Sequence, residues 1–251
     1  MSLQQIRVKQ PLVLCMTNTV AANFTANGLL AVGASPLMSE ALQDAEQLVG
    51  ISNALLLNIG TVHDASFQAM LAAGKAANDK GIPVVLDPVG VGASEYRQRA
   101  VEKILEDVKV ACIRCNVGEL AALAGVHWET RGVDSGEGEM DVIEVARLMA
   151  KAYNTIVFVT GYTDVLTDGV HVVEVTGGHK KITNVTATGC LLSALTAAAA
   201  ACSLEGNRLQ QLQALAADYQ QVAEQVCQYG IGTVQVEILN ALEQLSMEAK
   251  S

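Results

Sequence analysis

The feature that most constrains how this chain can fold is a series of short, almost continuously apolar segments. They are rich in Val, Ile and Leu and span residues 11–16, 54–60, 82–90, 108–114 and 155–161. Strands of this kind are buried on both faces, which is typical of parallel sheets covered by helices. Helical patterns lie at about 20–32, 64–80, 95–107 and 141–152, and residues 188–246 are helical throughout. We therefore predict an α/β fold with a mostly parallel central sheet and helices on both faces.

Two further segments have distinct signals. Residues 162–175 carry Asp168-Gly169 between two short apolar runs, which favours a β-hairpin. Residues 134–141 are acidic, contain two glycines and are predicted to form a surface loop. No shift in composition marks a domain boundary, so residues 1–251 are predicted to form a single domain, without a separate lid domain.

Charge and composition exclude several classes of partner. The formal net charge of −10 argues against binding to nucleic acid, and it means that an anionic substrate needs a local positive site or a metal. The uncharged stretches 10–39 and 182–204 are interrupted by polar residues or fall short of the roughly 20 apolar residues of a membrane span. Six scattered cysteines do not resemble a disulfide framework. We expect a soluble, cytoplasmic protein that binds neither nucleic acid nor membranes.

Polar side chains follow the predicted strands at one end of the sheet. In open parallel sheets, ligands bind outside the carboxyl ends of the strands. The polar residues placed there are Thr17, Asn18, Asp87, Arg114, Asn116, Glu119 and Thr160. Their clustering predicts a ligand site at this edge.

Each of the acidic candidates also has a structural interpretation. Asp87 precedes a proline and could cap a turn. Asn116 and Glu119 have the spacing of a capping box at a helix start. The functional alternative is that they hold a hydrated Mg²⁺ and phosphate oxygens, because Mg²⁺ keeps most of its waters and takes few carboxylates.

Residues 186–190, Thr-Ala-Thr-Gly-Cys, indicate a tight turn that enters a long helix of small apolar residues. Such a helix start presents free N–H groups and a partial positive charge, which together bind anions. Gly189 allows a ligand to approach the backbone. Cys190 falls in the first turn, where the helix dipole is expected to lower the pKa of its thiol. The alternative is an ordinary buried cysteine. Conventional nucleotide loops are missing from the sequence, since Ala34 stands where a P-loop spaced on Gly28 and Gly33 requires lysine.

Five motifs, taken together and in this order, resemble the hydroxyethylthiazole kinase family of the ribokinase-like superfamily. They are TNTVAANFTANGLLAVGASPLM (17–38), DPVGVGA (87–93), IRCNVGEL (113–120), VTG (159–161) and TATGC (186–190). The resemblance covers about residues 5 to 235. It implies a ribokinase-like fold and a transferase that uses ATP and Mg²⁺. That enzyme phosphorylates the primary hydroxyl of 4-methyl-5-(2-hydroxyethyl)thiazole in thiamine biosynthesis. It further implies a homotrimer with its sites at the subunit interfaces.

The same resemblance implies roles for individual residues. Cys190 matches the position of the catalytic group. The substrate-binding residues would be Met38, Asn23, Ala187 and Gly189; the ATP-binding residues would be Arg114, Thr160, Asn116 and Thr188; the metal-binding residues would be Asp87 and Glu119. The chain departs from the family pattern at Ala187 and Cys115, where glycine is usual.

Three other functions compete with this interpretation. One is a related kinase for a hydroxymethylpyrimidine or a sugar, and another is a repair lyase for hydrated nicotinamide cofactors. Enzymes of both kinds usually carry an aspartate at the position that matches Cys190. The third is a module that binds nucleotide or thiazole without turnover, and such a module needs no proton acceptor.

Overall fold

A computed structural model describes residues 2–126, 140–203 and 205–248 of the protein. The strands are β1 (Leu12–Met16), β2 (Ser35–Met38), β3 (Ala54–Asn58), β4 (Val84–Asp87), β5 (Cys112–Asn116), β6 (Ile156–Thr160), β7 (Asp164–Thr167) and β8 (Val172–Val175). The helices are α1 (Ser2–Lys9), α2 (Ala22–Ala31), α3 (Ala45–Ile51), α4 (Asp64–Asp79), α5 (Glu95–Asp107), α6 (Val117–Leu123), α7 (Val142–Tyr153), α8 (Thr188–Ala201), α9 (Arg208–Val226) and α10 (Ile231–Met247).

The strands form one mixed sheet with the order β2-β1-β3-β4-β5-β6-β7-β8. The first six strands in that order are parallel, and β7 and β8 are added antiparallel at one edge. Strand order reverses at β1, because β2 lies on one side of it and β3 on the other.

Helices cover both faces of the sheet. Successive strand residues point to opposite faces, so each strand contributes to two hydrophobic cores. Val13 and Leu56 pack with α1, α2, α8, α9 and α10 on the first face. Leu14 and Leu57 pack with α3, α4, α5, α6 and α7 on the second. This arrangement confirms the predicted mostly parallel α/β sheet with helices on both faces.

Helix α8 can lie close to the sheet because it is built from small side chains. Its residues from Leu191 to Ala200 are all buried. On its outer side α2 approaches at Gly28, where a Cβ atom would collide with the Leu191 side chain. This close packing fixes the position of the α8 amino terminus, and with it Cys190, relative to the strand ends.

Most predicted elements are present, with shifted limits. The 162–175 hairpin is confirmed as β7 and β8. The strand predicted over 108–114 is β5, which begins at Cys112 rather than at 108. Helix α5 extends up to position 108, because Val108 ends it through a bond from its N–H to the Ile104 carbonyl. The helical prediction for 188–246 is confirmed in the described residues, which form α8, α9 and α10 with a short 3-10 turn at Glu205–Asn207. The predicted loop over 134–141 lies, up to residue 139, outside the described residues.

Three elements were not predicted from the sequence: α1, α3 and the edge strand β2. Among the described residues, no helix combines the length and apolarity that crossing a membrane requires. All six cysteines are free thiols, as the sequence predicted, and Cys115 lies buried in the second core.

Candidate active site

The candidate site lies at the carboxyl ends of β1, β3 and β4, beside the point where strand order reverses. Helix α2 follows β1 onto the first face, whereas α4 follows β3 onto the second, so a crevice opens between these two strands. Crevices of this kind are the usual ligand sites of open α/β sheets. Asn18, just after β1, and Asn58, at the end of β3, meet there.

A continuous chain of hydrogen bonds links four side chains at this point. The Asn18 amide nitrogen Nδ2 donates to Asn58 Oδ1 at 2.9 Å and to Cys190 Sγ at 3.3 Å. Asn58 Nδ2 donates in turn to Asp87 Oδ2 at 2.6 Å. The chain therefore connects the amino terminus of α8 with the ends of three neighbouring strands.

Asp87 is a fully buried acid with one unpartnered oxygen. Its Oδ1 has no hydrogen-bond partner of normal geometry among the described residues: the Ser193 hydroxyl lies near enough to lower the pKa of Asp87, but it donates to the Gly189 carbonyl at 3.3 Å. Burial raises the pKa of Asp87 to about 7, the nearby Arg114 guanidinium opposes this shift, and the Glu119 carboxylate adds to it. A buried carboxylate with an unpartnered oxygen contributes little to stability, and it is suited to bind a cation.

This pKa predicts how stability responds to pH in metal-free protein. The folded-state pKa of about 7 lies above the ordinary value of 3.8, so between these values the folded protein binds more protons than the unfolded chain. The contribution of Asp87 to the free energy of unfolding therefore falls as pH rises from about 4 to 7. We expect urea unfolding in EDTA to show this loss for the wild type and not for Asp87→Asn. Equal pH dependence of the two proteins would contradict the expectation.

Arg114 is the buried cation of the site. Its guanidinium Nη2 donates to Thr160 Oγ1 at 2.6 Å, while its buried Nε has no partner among the described residues. Burial works against its charge, but the Asp87 and Glu119 carboxylates outweigh this effect and raise the pKa of Arg114. The site thus carries a permanent positive charge of the kind that phosphate groups require.

The Arg114 guanidinium packs against Gly189, where the absence of a side chain leaves room for it. A Cβ atom at Gly189 would lie 2.7 Å from Arg114 Nη1 and 3.2 Å from Nη2. The first turn of α8 and the guanidinium are therefore in direct contact, and a larger residue at position 189 would force the Arg114 side chain to move.

We expect Gly189→Ala to lower the free energy of unfolding by about 1–3 kcal/mol, the usual cost of overpacking, because the added methyl group must displace Arg114. Urea denaturation measures this change. Gly232→Ala is the matched control: Gly232 lies in α10 with nothing within 4 Å of an added Cβ, so alanine should stabilise that helix. If Gly189→Ala raised the free energy of unfolding as much as Gly232→Ala does, the contact with Arg114 would not limit the size of the residue at position 189.

The start of α8 has the geometry of an anion site. Ala187 precedes the helix with a left-handed backbone, φ 68° and ψ 5°, a conformation that glycine adopts more readily. The first intrahelical bond runs from Leu191 N–H to the Ala187 carbonyl, so the N–H groups of residues 188–190 have no acceptor within the helix. The Thr188 hydroxyl donates back to the Val185 carbonyl at 3.2 Å, which leaves its backbone N–H as the group available to a ligand.

The prediction of a lowered pKa for Cys190 was wrong. Burial, followed by the negative charge of Asp87, raises the pKa of this thiol to about 11, although Asn18 donates to its sulfur and Arg114 lies nearby. The thiol is partly buried beside Asn18, so desolvation outweighs the helix dipole. Cys190 is therefore a neutral thiol at physiological pH.

The structural interpretation of Asn116 and Glu119 is confirmed. Asn116 Oδ1 accepts from Glu119 N–H at 2.8 Å and Glu119 Oε2 accepts from Asn116 N–H at 3.0 Å, which is a complete capping box for α6. Glu119 Oε1 also accepts from Gly90 N–H at 3.0 Å and so holds the loop after β4. Metal binding by Glu119 and nucleotide binding by Asn116 stay predictions.

The residues present fit a hydrated Mg²⁺ better than a metal enclosed by protein ligands. Among the described residues, no cluster of three or more His, Cys, Asp or Glu could hold a metal ion. Asp87 offers one unpartnered buried oxygen, and the Glu119 carboxylate is close enough to raise the pKa of Asp87. One or two carboxylates combined with phosphate oxygens and water is the usual environment of Mg²⁺ in phosphotransfer sites.

Two predicted substrate residues lie outside this network of hydrogen bonds. Met38 ends the edge strand β2 and is 37% exposed. Asn23 is exposed on α2, where its side chain and carbonyl accept bonds from Asn27. The structure also places Asn58 in this network. This residue was not predicted from the sequence, although it ends an apolar strand as other candidates do.

Comparison with known proteins gives consistent matches over nearly the whole chain. A family model described as the hydroxyethylthiazole kinase family matches residues 3–248. A hydroxyethylthiazole kinase of Lysinibacillus sphaericus is 50% identical over 253 residues, which cover 100% of this chain and 98% of that relative. A second, from Pasteurella multocida, is 51% identical over 196 residues, covering 78% of this chain and 73% of that relative.

Solved structures agree with the sequence matches. The structure of a hydroxyethylthiazole kinase protein from Pyrococcus horikoshii superimposes with a TM-score of 0.87 at 34% identity, covering 97% of this chain and 91% of that one. A ribokinase-like superfamily protein from Enterococcus faecalis has a TM-score of 0.71 at 10% identity, covering 96% of this chain and 88% of that one. The second likeness supports the ribokinase-like fold alone.

Proposed function

The chain belongs to the hydroxyethylthiazole kinase family, and we propose that it transfers the γ-phosphate of ATP to the primary hydroxyl of 4-methyl-5-(2-hydroxyethyl)thiazole, a salvage step of thiamine biosynthesis. One observation carries the proposal: Cys190 lies in the first turn of α8, where the backbone N–H groups have no acceptor within the helix, and is joined through Asn18 and Asn58 to Asp87. An alcohol beside Cys190 would therefore lie between the phosphate-binding amides and the acidic group.

The positive side of the site binds the phosphates. The free N–H groups of residues 188–190 would donate to the transferred group, and the Arg114 guanidinium would neutralise charge on the neighbouring phosphate oxygens. Phosphoryl transfer requires mainly such positioning and charge stabilisation. Thr160, which accepts from Arg114, would fix the guanidinium for this contact.

Asp87 and Glu119 would hold Mg²⁺ together with its waters. When bound, Mg²⁺ neutralises negative charge on the phosphate oxygens. Asp87 contributes the unpartnered Oδ1 and Glu119 the lone pairs left over from its backbone bonds. Asn116 would keep Glu119 in place through the capping box.

Cys190 orients the alcohol rather than acting as a preformed base. Its thiol has a pKa of about 11, so at neutral pH the sulfur accepts a hydrogen bond from the substrate hydroxyl without first losing its own proton. A loose transition state demands little proton removal before the phosphoryl group transfers. The substrate proton would therefore leave late, after the new P–O bond has begun to form and the bond between the β- and γ-phosphates of ATP has begun to break, and it would pass to an oxygen of the transferred phosphate.

The thiazole ring would be bound by Met38, Asn23, Ala187 and Gly189, partly across a subunit interface of a cytoplasmic homotrimer. Large apolar side chains on and near α2 and β2 support an interface there: Val20 is 65% exposed, Leu30 58% and Leu42 48%. Exposed apolar side chains that form one contiguous area mark association surfaces on proteins. Sedimentation equilibrium measures the assembly, and a monomer at micromolar concentration would contradict it.

The function is tested by ADP release with a panel of alcohols. The panel contains the hydroxyethylthiazole, a hydroxymethylpyrimidine and a sugar, and hydrated NADH tests for the repair lyase. We expect Mg²⁺-dependent ADP release with the thiazole alone and a phosphate monoester by ³¹P NMR. Release with the pyrimidine or sugar, or nucleotide binding without any turnover, would overturn the assignment.

A further inference from the structure

We propose that Asn58 is a positioning residue that orients both the acidic group and the catalytic cysteine of the kinase, an inference that rests on the function proposed above. Asn58 ends β3 and is only 1% exposed. It lies directly opposite Asp87 in the register of β3 and β4. Asn58 bonds directly to Asp87 and is connected to Cys190 through Asn18.

The backbone settles which way the Asn58 amide points. Gly60 N–H, which can only donate, bonds to Asn58 Oδ1 at 3.0 Å. The NH₂ group of Asn58 must therefore face the other way, toward Asp87 Oδ2 at 2.6 Å. This bond occupies Oδ2 and leaves Oδ1 as the atom of Asp87 without a partner.

The orientation of Asn18 is settled in the same way. Ala21 N–H donates to Asn18 Oδ1 at 2.9 Å, so the Asn18 NH₂ group must face Asn58 Oδ1 and Cys190 Sγ. Gly60 leaves room for this side chain, because a Cβ there would lie 2.8 Å from Asn18 Nδ2. Asn58 thereby aligns Asp87 on one side and, through Asn18, the acceptor face of the Cys190 sulfur on the other.

The experiment compares Asn58→Leu and Asn58→Ser with the same substitutions at Asn53. Leucine keeps the approximate shape of asparagine and removes both polar functions, and serine is a smaller variant in case leucine impairs folding. Asn53 precedes the opposite end of β3 and accepts a single bond from Leu12 N–H, so its variants reproduce the loss of an asparagine from this strand away from the site.

The first readout does not depend on the thiazole. Calorimetry gives the ADP dissociation constant without Mg²⁺ divided by the constant with Mg²⁺, a ratio that grows as Mg²⁺ tightens ADP binding and so reports how well Asp87 is aligned. We expect this ratio to fall about tenfold in both Asn58 variants, since residues that orient metal ligands typically affect metal affinity by about 10–100-fold. The Asn53 variants should keep the wild-type ratio.

The second readout separates orientation from folding. We expect kcat of the Asn58 variants to fall about thirtyfold, within the range for residues that orient ligands, with KM for the thiazole changed less than about threefold. Ratios and kcat values within twofold of those of the Asn53 variants, or a fall in kcat accounted for by unfolded protein, would overturn the inference. If the wild type released no ADP with the thiazole, the proposed function would fail, and the calorimetric ratio would still decide the role of Asn58.

Discussion

Asp87→Asn is expected to lower kcat by about a thousandfold, the upper end of what the loss of one preorganised charge-stabilising group costs. The amide keeps the shape of the carboxylate and can still accept the bond from Asn58, but it carries no charge for a cation. Because it imitates the protonated acid, which the buried site favours below a pKa of about 7, the metal-free variant should be at least as stable as the wild type at pH 8. Steady-state kinetics and urea denaturation measure the two effects.

A fall in kcat without a loss of stability would identify Asp87 as a residue retained for function. Asp218→Asn is a suitable control, because Asp218 is also a buried acid but accepts a bond from Leu3 N–H in α1. We expect that variant to retain kcat. Loss of stability together with unchanged turnover in Asp87→Asn would contradict the assignment.

Cys190→Ala is expected to slow turnover by about a hundredfold, because the substrate hydroxyl loses the sulfur that orients it and a misplaced reacting group costs about this much. The Michaelis constant for ATP should change little, because the backbone amides of the α8 start and the Arg114 guanidinium remain. The variant loses the acceptor that Asn18 and the substrate hydroxyl share. Steady-state kinetics with both substrates varied measures the effect.

Cys202→Ala provides the control at the other end of the same helix. Cys202 is half-buried at the carboxyl end of α8, and we expect its removal to leave kcat unchanged. Unaltered turnover in Cys190→Ala would remove that cysteine from the mechanism. The backbone N–H groups of residues 188–190 would then be the only part of the α8 start that contributes to catalysis.

The layered fold was predictable because burial on both faces leaves a clear signal in the sequence. The strands that carry the site are continuous apolar runs with polar residues at one end, and that pattern located Asp87 and Arg114. Strand β2 was missed because Ser35–Met38 is short, begins with Ser-Pro and is only partly buried at the sheet edge. Its pairing with β1 is a tertiary effect that local propensity does not record.

The chemistry of the site was less predictable than its position. Asn58 fell inside the strand predicted over 54–60 and was not singled out, and only the register of β3 against β4 shows that its amide faces Asp87. The pKa of Cys190 was misjudged because a helix start specifies the direction of the dipole and not the depth of the side chain. Metal binding by Glu119 cannot be separated from capping by sequence, since both uses require the same Asn-x-x-Glu spacing.

The packing of α1 has a consequence for how the protein is made. Leu3 N–H bonds to Asp218 Oδ2 at 3.0 Å and Arg7 Nε bonds to Ser246 Oγ at 2.8 Å, so α1 is fixed by residues translated more than two hundred positions later. Strands β3 to β8 follow one another across the sheet and can be added as they leave the ribosome. The layer that contains α8 closes only when α9 and α10 have emerged. A nascent chain that stalls before α10 should therefore carry a nearly finished sheet and no working phosphate-binding turn.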